Sequence, residues 1–263
     1  MHRGQVTDAI HPSAVVDPGA RIAPGVAIGP FAIVGPGVTL GPRCVIGPHV
    51  VLEGRVRLGR GVSVGAGSVL GSGPQDAKYA GEDTAVEIGD GTVLREHVTV
   101  NRGTAASGAT VVGRDCFLMT YVHVAHDCRI GDRVTIANAT QLSGHVTVED
   151  CASLSGLVAV HQFVTIGTYA FIGGASRIPQ DIPPYIKAVG NPVRLYGLNS
   201  VGLQRAGFSP ESVTALKRAY RMLFNSSLPR AEALEALESE ADRVPEVRRL
   251  LEFIGSARRG TPA

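Results

Sequence analysis

Tryptophan is absent from this 263-residue chain, and aromatic residues make up only 5% of it. That scarcity argues against a broad globular core. It suits a thin solenoid whose interior admits only aliphatic side chains, and a hydrophobic fraction of 44% shows there is enough apolar material to fill one. No stretch approaches the ~18 consecutive apolar residues of a membrane span. Residues 1–16 lack the apolar run of a secretory signal, so a cytoplasmic protein is expected. Net charge is only +2, which gives no electrostatic reason to expect a nucleic-acid partner. The four cysteines include no CxxC pair, the commonest zinc spacing. They are expected to act as small core hydrophobes.

What the chain does contain is a repeat. Every sixth position from Ile10 to Ile178 is Val, Ile or Leu, except Asp76, Glu82 and Ala106, over twenty-nine positions. Within each hexad the second residue is often Gly and the fifth is small or β-branched, as in Ile28-Gly29-Pro30-Phe31-Ala32-Ile33. Cys44, Cys116 and Cys128 occupy that fifth place, where Ala or Val often stands elsewhere. Short strands favour Val, Ile and Thr, and the Gly is expected to supply unusual φ at tight turns. A six-residue period with a turn in each period fits a parallel β-helix in which each hexad forms one flat side. Three hexads make an 18-residue triangular coil. Coils stack at the inter-strand spacing of ~4.8 Å, so residues 18 apart should lie above one another. The pattern resembles the hexapeptide-repeat family, which implies that the coil is left-handed.

The reading is therefore an all-β solenoid followed by a small helical domain. The β-helix is expected over residues 1–184 and a linker and C-terminal helical domain over 185–263. Two polar, Gly-rich stretches, at about 71–87 and 101–111, interrupt the hexads and are expected to project as loops, the longer one as part of a binding surface. Beyond Pro183 and Pro184, Tyr185 to Gly207 reads as a linker. Ser209-Pro210-Glu211 then offers an N-cap hydroxyl followed by Pro at the first helical position, and Pro229 and Pro245 open two more helices.

The densest departure from ordinary repeat composition runs from Tyr121 to Cys128 and holds His123 and His126. Adding 18 to His126 reaches Gly144, beside His145, and a second 18 reaches Gln162, beside His161. Three coils therefore place polar groups on one edge over ~10 Å. A line of imidazoles can act in acid–base catalysis or in metal binding. Asp127 is expected to point away from His126, because neighbouring strand residues face opposite ways. Metal is not expected. The γ-class carbonic anhydrases share this kind of solenoid and pair two zinc histidines five residues apart, a spacing absent here.

Several stretches carry a closer resemblance. They are Gln75 to Gly81, His123 to Cys128, Ser143 to Val146, His161-Gln162-Phe163, Gly173-Gly174, Gly190-Asn191-Pro192 and Gly202 to Arg205. In this order they resemble the acyl-carrier-protein:UDP-N-acetylglucosamine O-acyltransferases, which begin lipid A biosynthesis. The resemblance spans nearly the whole chain. It implies transfer of a (R)-3-hydroxyacyl chain from acyl carrier protein to the 3-hydroxyl of UDP-N-acetylglucosamine, without a cofactor, in a homotrimer. It implies that His126 is the general base and Gly144 the backbone donor to the oxyanion. Asp76 would hold sugar hydroxyls, and Lys78, His123, His145, His161, Gln162, Asn199 and Arg205 would line the nucleotide-sugar and acyl sites. Gly174 matches a stop for the acyl chain and, being small, implies a long one. The chain departs from the family at Val201, Ala206 and Pro192, which leaves open whether the acceptor is the 2-acetamido or a 3-amino sugar. Two other readings remain: the related N-acyltransferase, which carries a further domain ahead of its solenoid, and a non-catalytic solenoid binding module.

Overall fold

The computed structural model describes residues 9–262; the first eight residues assigned to the β-helix and the terminal Ala263 lie outside them. The hexads form short strands, most of two residues, stacked into three parallel sheets that make the sides of a prism. Pairing follows the 18-residue ruler: Val15 lies beside Ile33, Thr39 beside Arg57, and His123 beside Gln141, which lies beside Ala159.

Each side buries two residues, the aliphatic series residue and the one two places before it. Ala32 and Val34 point inward while Ile33 points out, the period-two alternation of a strand. One continuous core runs from Val26 to Val193 and contains no aromatic ring. Complete burial of a Leu or Ile is worth roughly 1.5–3 kcal/mol, far more than two-residue strands gain from their own propensity. Cys44, Cys116 and Cys128 sit in this core, where burial raises their thiols, that of Cys128 to about 12. Cys151 does not. It falls on a corner, half-buried, with Arg133 Nε 3.3 Å from its Sγ.

The glycines have a different task from the one expected. The residue that turns each corner with φ near +60° is the one three places after the series residue, and it is usually not Gly: Tyr121, Asp127, His145 and Phe163 are examples. Such a conformation costs an L-residue roughly 1–2 kcal/mol, which the pair of buried aliphatics on each side offsets. The second-place glycines serve close approach instead. A Cβ on Gly89 would lie 2.6 Å from the carbonyl carbon of Gly113 in the next coil.

Both breaks in the hexad series insert whole hexads. Ser63 pairs with Val93 and Val69 with Thr99, 30 residues on, so the longer break adds two hexads to its coil. Val93 pairs with Phe117 and Thr99 with His123, 24 residues on, so the shorter adds one. The first leaves after Val69–Ser72 and returns at Ala85–Ile88, the second leaves after Thr99–Asn101 and returns at Ala109–Val112. Both therefore project from the edge where the second sheet hands over to the third.

The stretch 185–207 is not an open linker. Ile186–Gly190 pairs parallel with Phe171–Ile172, and Val193–Leu198 pairs antiparallel with it, extending the first sheet to eleven strands. Ile186 and Ala188 keep the inward alternation, but Pro183-Pro184 breaks the six-residue phase that would have marked them. Four helices follow: α1 (Ser200–Arg205), α2 (Pro210–Phe224), α3 (Arg230–Ala241) and α4 (Pro245–Ser256). Ser209 caps α2 by accepting from the Ser212 N–H, and Pro245 opens α4. Tyr185, Leu203, Leu216, Leu237 and Leu250 form a second core among them. Among the described residues, no helix is long and apolar enough to cross a membrane.

Candidate active site

The edge from which both inserts project also carries the polar ladder. On it His126, Gly144 and Gln162 occupy the same place in three successive coils, and Asp127, His145 and Phe163 occupy the next. The His145 ring stacks on Phe163 with centroids 4.4 Å apart and meets His126 edge-on at 5.1 Å. Stacking between fixed coils holds these rings without help from a mobile loop.

His126 has an unexpected partner. Its Nδ1 lies 2.7 Å from Asp127 Oδ2. The expectation that Asp127 points away fails because Asp127 is not a strand residue; at φ +60° it turns the corner, which swings its side chain beside its neighbour's. Only 1% of that side chain is exposed, yet the carboxylate is well supplied with donors. Oδ1 accepts from the Thr104 N–H at 2.9 Å and from the Ser107 hydroxyl, and Oδ2 from the Thr104 hydroxyl at 2.8 Å. Burial by itself raises this carboxyl, but the hydrogen bonds from Ser107, His126 and Thr104 outweigh it and hold the pKa at about 2. An ionised carboxylate only accepts, so the proton on the shared bond belongs to His126 Nδ1. Nε2 is then the lone-pair nitrogen of the neutral ring.

That lone pair faces Gly144. A Cβ on Gly144 would lie 2.7 Å from Nε2 and 2.6 Å from Cε1, so any side chain there would cover that nitrogen. The Gly144 N–H has no acceptor among the described residues. On the edge between the third and first sheets, the equivalent N–H groups of Arg114 and Asp132 donate to Asp132 Oδ1 and Asp150 Oδ1, each at 2.8 Å. At Gly144 the next coil offers Gln162 in that place instead, and the donor stays free.

The remaining candidates divide into two groups. His123 lies on the outer face of the second sheet, in register with Thr99, whose hydroxyl is 2.7 Å from its Nδ1. Burial, and then the nearby His126, holds its pKa down. His161 sits one place before Gln162, with Nδ1 3.1 Å from the Gln162 carbonyl oxygen. Asp76 and Lys78 lie on the longer insert, where the Lys78 N–H donates to Asp76 Oδ1 at 3.0 Å. Gly174, Asn199 and Arg205 are elsewhere on the chain. Gly174 is on the edge between the first and second sheets, beside Gly156. Asn199 caps α1 and donates to the Tyr169 carbonyl, and Arg205 is exposed in the last turn of α1. A groove of about 440 Å³ crosses the outer face of the second sheet between the two edges, from Ser143 and His161 to Leu157 and Ala175.

His126, Asp127 and His145 bring their ligand atoms within 4.8 Å of one another, the arrangement a cation would need. Asp127 has its lone pairs filled by the four donors described above, and a metal there would have to displace them.

Thr104 and Ser107 are the residues around His126 that sequence reasoning missed, and Asp127 is one whose direction it misjudged. Asp127 shares its hexad place with His145, 18 residues on, which was the available signal. Nothing in the period places Thr104 or Ser107, since both belong to an insert.

Residues 181–261 match the family described as UDP N-acetylglucosamine O-acyltransferase, domain 2, and residues 37–72 and 109–144 match the bacterial transferase hexapeptide. The chain is 52% identical over 188 residues to the acyl-(acyl-carrier-protein)–UDP-N-acetylglucosamine O-acyltransferase of Xanthomonas euvesicatoria, covering 71% of this chain and 72% of that protein. It is 44% identical over 192 residues to the protein of the same description in Janthinobacterium, covering 71% and 73%. Among solved structures, a UDP-N-acetylglucosamine acyltransferase from Bacteroides fragilis superimposes with a TM-score of 0.94 at 38% identity, covering 97% of this chain and 100% of that one.

The Asp127 cluster makes a prediction about acid stability. A carboxyl whose folded pKa lies below its unfolded value stabilises the fold above the unfolded value, and that contribution is lost as pH falls through the folded one. Here the window runs from about pH 4 to about pH 2, and the contribution is about 2 kcal/mol. Asp127→Asn should be less stable than the parent near neutral pH and lose less on acidification. Glu96, held low by Arg95, and Asp132, held low by the Arg114 N–H, titrate alike in both proteins. Urea unfolding across that range checks the difference, and parallel curves for the two proteins would contradict it.

Proposed function

The chain belongs to the acyl-(acyl-carrier-protein)–UDP-N-acetylglucosamine O-acyltransferase family, and from that premise we propose how its own residues carry the reaction. The enzyme transfers an acyl chain from acyl carrier protein to an oxygen of UDP-N-acetylglucosamine in lipid A biosynthesis. A sugar hydroxyl is a poor nucleophile at neutral pH and needs an adjacent base. In our reading His126 Nε2 takes the proton from the 3-hydroxyl as that oxygen attacks the thioester carbon of a (R)-3-hydroxyacyl donor. The free Gly144 N–H donates to the oxyanion that forms. The intermediate collapses, the C–S bond breaks, and the departing thiolate takes its proton from His126. Asp127 stabilises the imidazolium between the two proton transfers. The 2.7 Å contact between His126 Nδ1 and the buried Asp127 carboxylate is the observation that carries this reading.

Substrate positions follow the same proposal. Asp76 and Lys78 hold the sugar, His123, His145, His161 and Gln162 line the reacting region, and Asn199 and Arg205 serve the nucleotide. Arg205 suits a diphosphate as a permanent forked cation. The acyl chain lies in the groove across the second sheet, whose far end at Ala175 adjoins Gly174.

Asn199 and Arg205 sit away from the His126 edge of their own chain, so a neighbouring copy has to present them. The edge that carries Gly174 also exposes Phe31 (59%), Tyr121 (59%) and Leu157 (68%), an apolar strip suited to such a contact. We therefore propose a homotrimer with its sites between chains, acting in the cytoplasm.

Five outcomes are expected. Incubated with UDP-N-acetylglucosamine and a 3-hydroxyacyl carrier protein, the wild type should form an acylated sugar nucleotide detectable by mass spectrometry. His126→Ala should cut that rate at least about a hundred-fold, and Gly144→Ala should do likewise by displacing the ring; full activity in either would overturn the mechanism. Gly174→Met should shift preference toward shorter acyl donors, and an unchanged chain-length profile counts against its role. Native mass should correspond to three chains of 27.4 kDa; a monomer that is fully active would rule out shared sites.

A further inference from the structure

The shorter insert adds one hexad to a single coil, on the edge that carries His126 and directly below Asp127. We propose that this insert is a clamp for the general base, and that Thr104 and Ser107 are positioning residues which act on His126 through Asp127. The inference rests on His126 being the base.

Three observations support it. First, the insert has little freedom of its own. The Gly108 N–H donates to the Thr104 carbonyl at 2.9 Å and closes the loop, and the Thr84 hydroxyl donates to the Gly103 carbonyl at 2.5 Å. Behind it, Arg102 donates to the Gly71 carbonyl at 2.8 Å and to the Tyr79 hydroxyl at 2.9 Å. Second, three of the four donors to Asp127 come from this insert: the Thr104 N–H, the Thr104 hydroxyl and the Ser107 hydroxyl. Ser107 also lies 2.9 Å from the Ala109 carbonyl, but a hydroxyl has one proton, and the ionised acceptor makes the stronger bond. Third, the backbone of Asp127 is gripped by the strand into which the insert returns, its N–H donating to the Thr110 hydroxyl at 2.9 Å.

The chemistry follows from where the lone pairs go. Oδ1 is filled by the insert alone. Oδ2 keeps one direction for the Thr104 hydroxyl and one for His126 Nδ1. The ring is thereby held at one angle and in one tautomer, with Nε2 aimed over Gly144. Take away the two hydroxyls and the carboxylate has spare lone pairs, can rotate, and places more of its charge on the imidazole. The ring then holds its proton more strongly and loses its fixed direction.

The test is Thr104→Val combined with Ser107→Ala, which removes two oxygens at nearly constant shape. The turnover number should fall at least about ten-fold with KM for both substrates changed less than two-fold, and the acid limb of the kcat/KM profile should move to higher pH. Ser107→Thr, which keeps a hydroxyl, should stay near wild-type. Histidine 15N NMR supplies a readout independent of turnover. His126 should be in the Nδ1–H tautomer in the wild type, and should show a higher titration midpoint in the double variant. If the double variant does not fold, Ser107→Ala alone carries the same measurements. An unchanged turnover, limb and His126 spectrum would overturn the clamp while leaving the acyltransferase mechanism intact. Absence of product from the wild type would overturn that mechanism, and the NMR arm would still decide whether the insert governs His126.

Discussion

The structure depends on backbone hydrogen bonds between facing strands of successive coils. The Gly131 N–H donates to the Val148 carbonyl, Ser143 to Val160, and Gly113 to Ile130, all near 3 Å. Because every coil is bonded above and below, a displacement of one residue has to be absorbed by two neighbours. Such a ladder demands that each turn of the chain return to the same place, so coils of equal length are the rule. The second-place glycines answer to the same demand, since a Cβ there would run into the next coil's backbone.

An insertion is compatible with this ladder only at a corner and only if the chain re-enters in register. Both inserts meet the condition and both use the same edge. The consequence is a rigid wall with two loops attached beside one line of histidines. The scaffold supplies fixed spacing between His126, Gly144 and Gln162, and the loops supply groups that a flat repeat has no room for. The same division explains why the cysteines differ. Three fill inward places and are inert, while Cys151 lies on the left-handed corner place and meets Arg133 instead.

Electrostatics inside that wall is governed by a buried carboxylate. Taking Asp127 out of water is unfavourable unless its lone pairs are filled, and filling them determines which nitrogen of His126 is bare. The geometry at His126 is therefore a by-product of satisfying one acid. The free Gly144 N–H is the complementary case: a donor left without an acceptor among the described residues because the coil above presents Gln162 where the edge between the third and first sheets presents Asp.

The period alone determined the β-helix, the 18-residue ruler, and the alignment of His126, Gly144 and Gln162, because a repeat bonded to itself every 18 residues has only one way to stack. The Ser209-Pro210 helix start was legible for a local reason, a cap followed by a residue with no N–H to lose. The hairpin at Ile186–Leu198 was not, since the prolines before it cancel the six-residue phase while its alternation continues. Nor was the partnership of Asp127 with His126, which turns on a backbone φ of opposite sign to the one a strand would give. Thr104 and Ser107 lie some twenty residues from Asp127 in an insert with no period. Only the folded chain brings them to it, because their contact comes from the loop's path across the edge and not from any repeat.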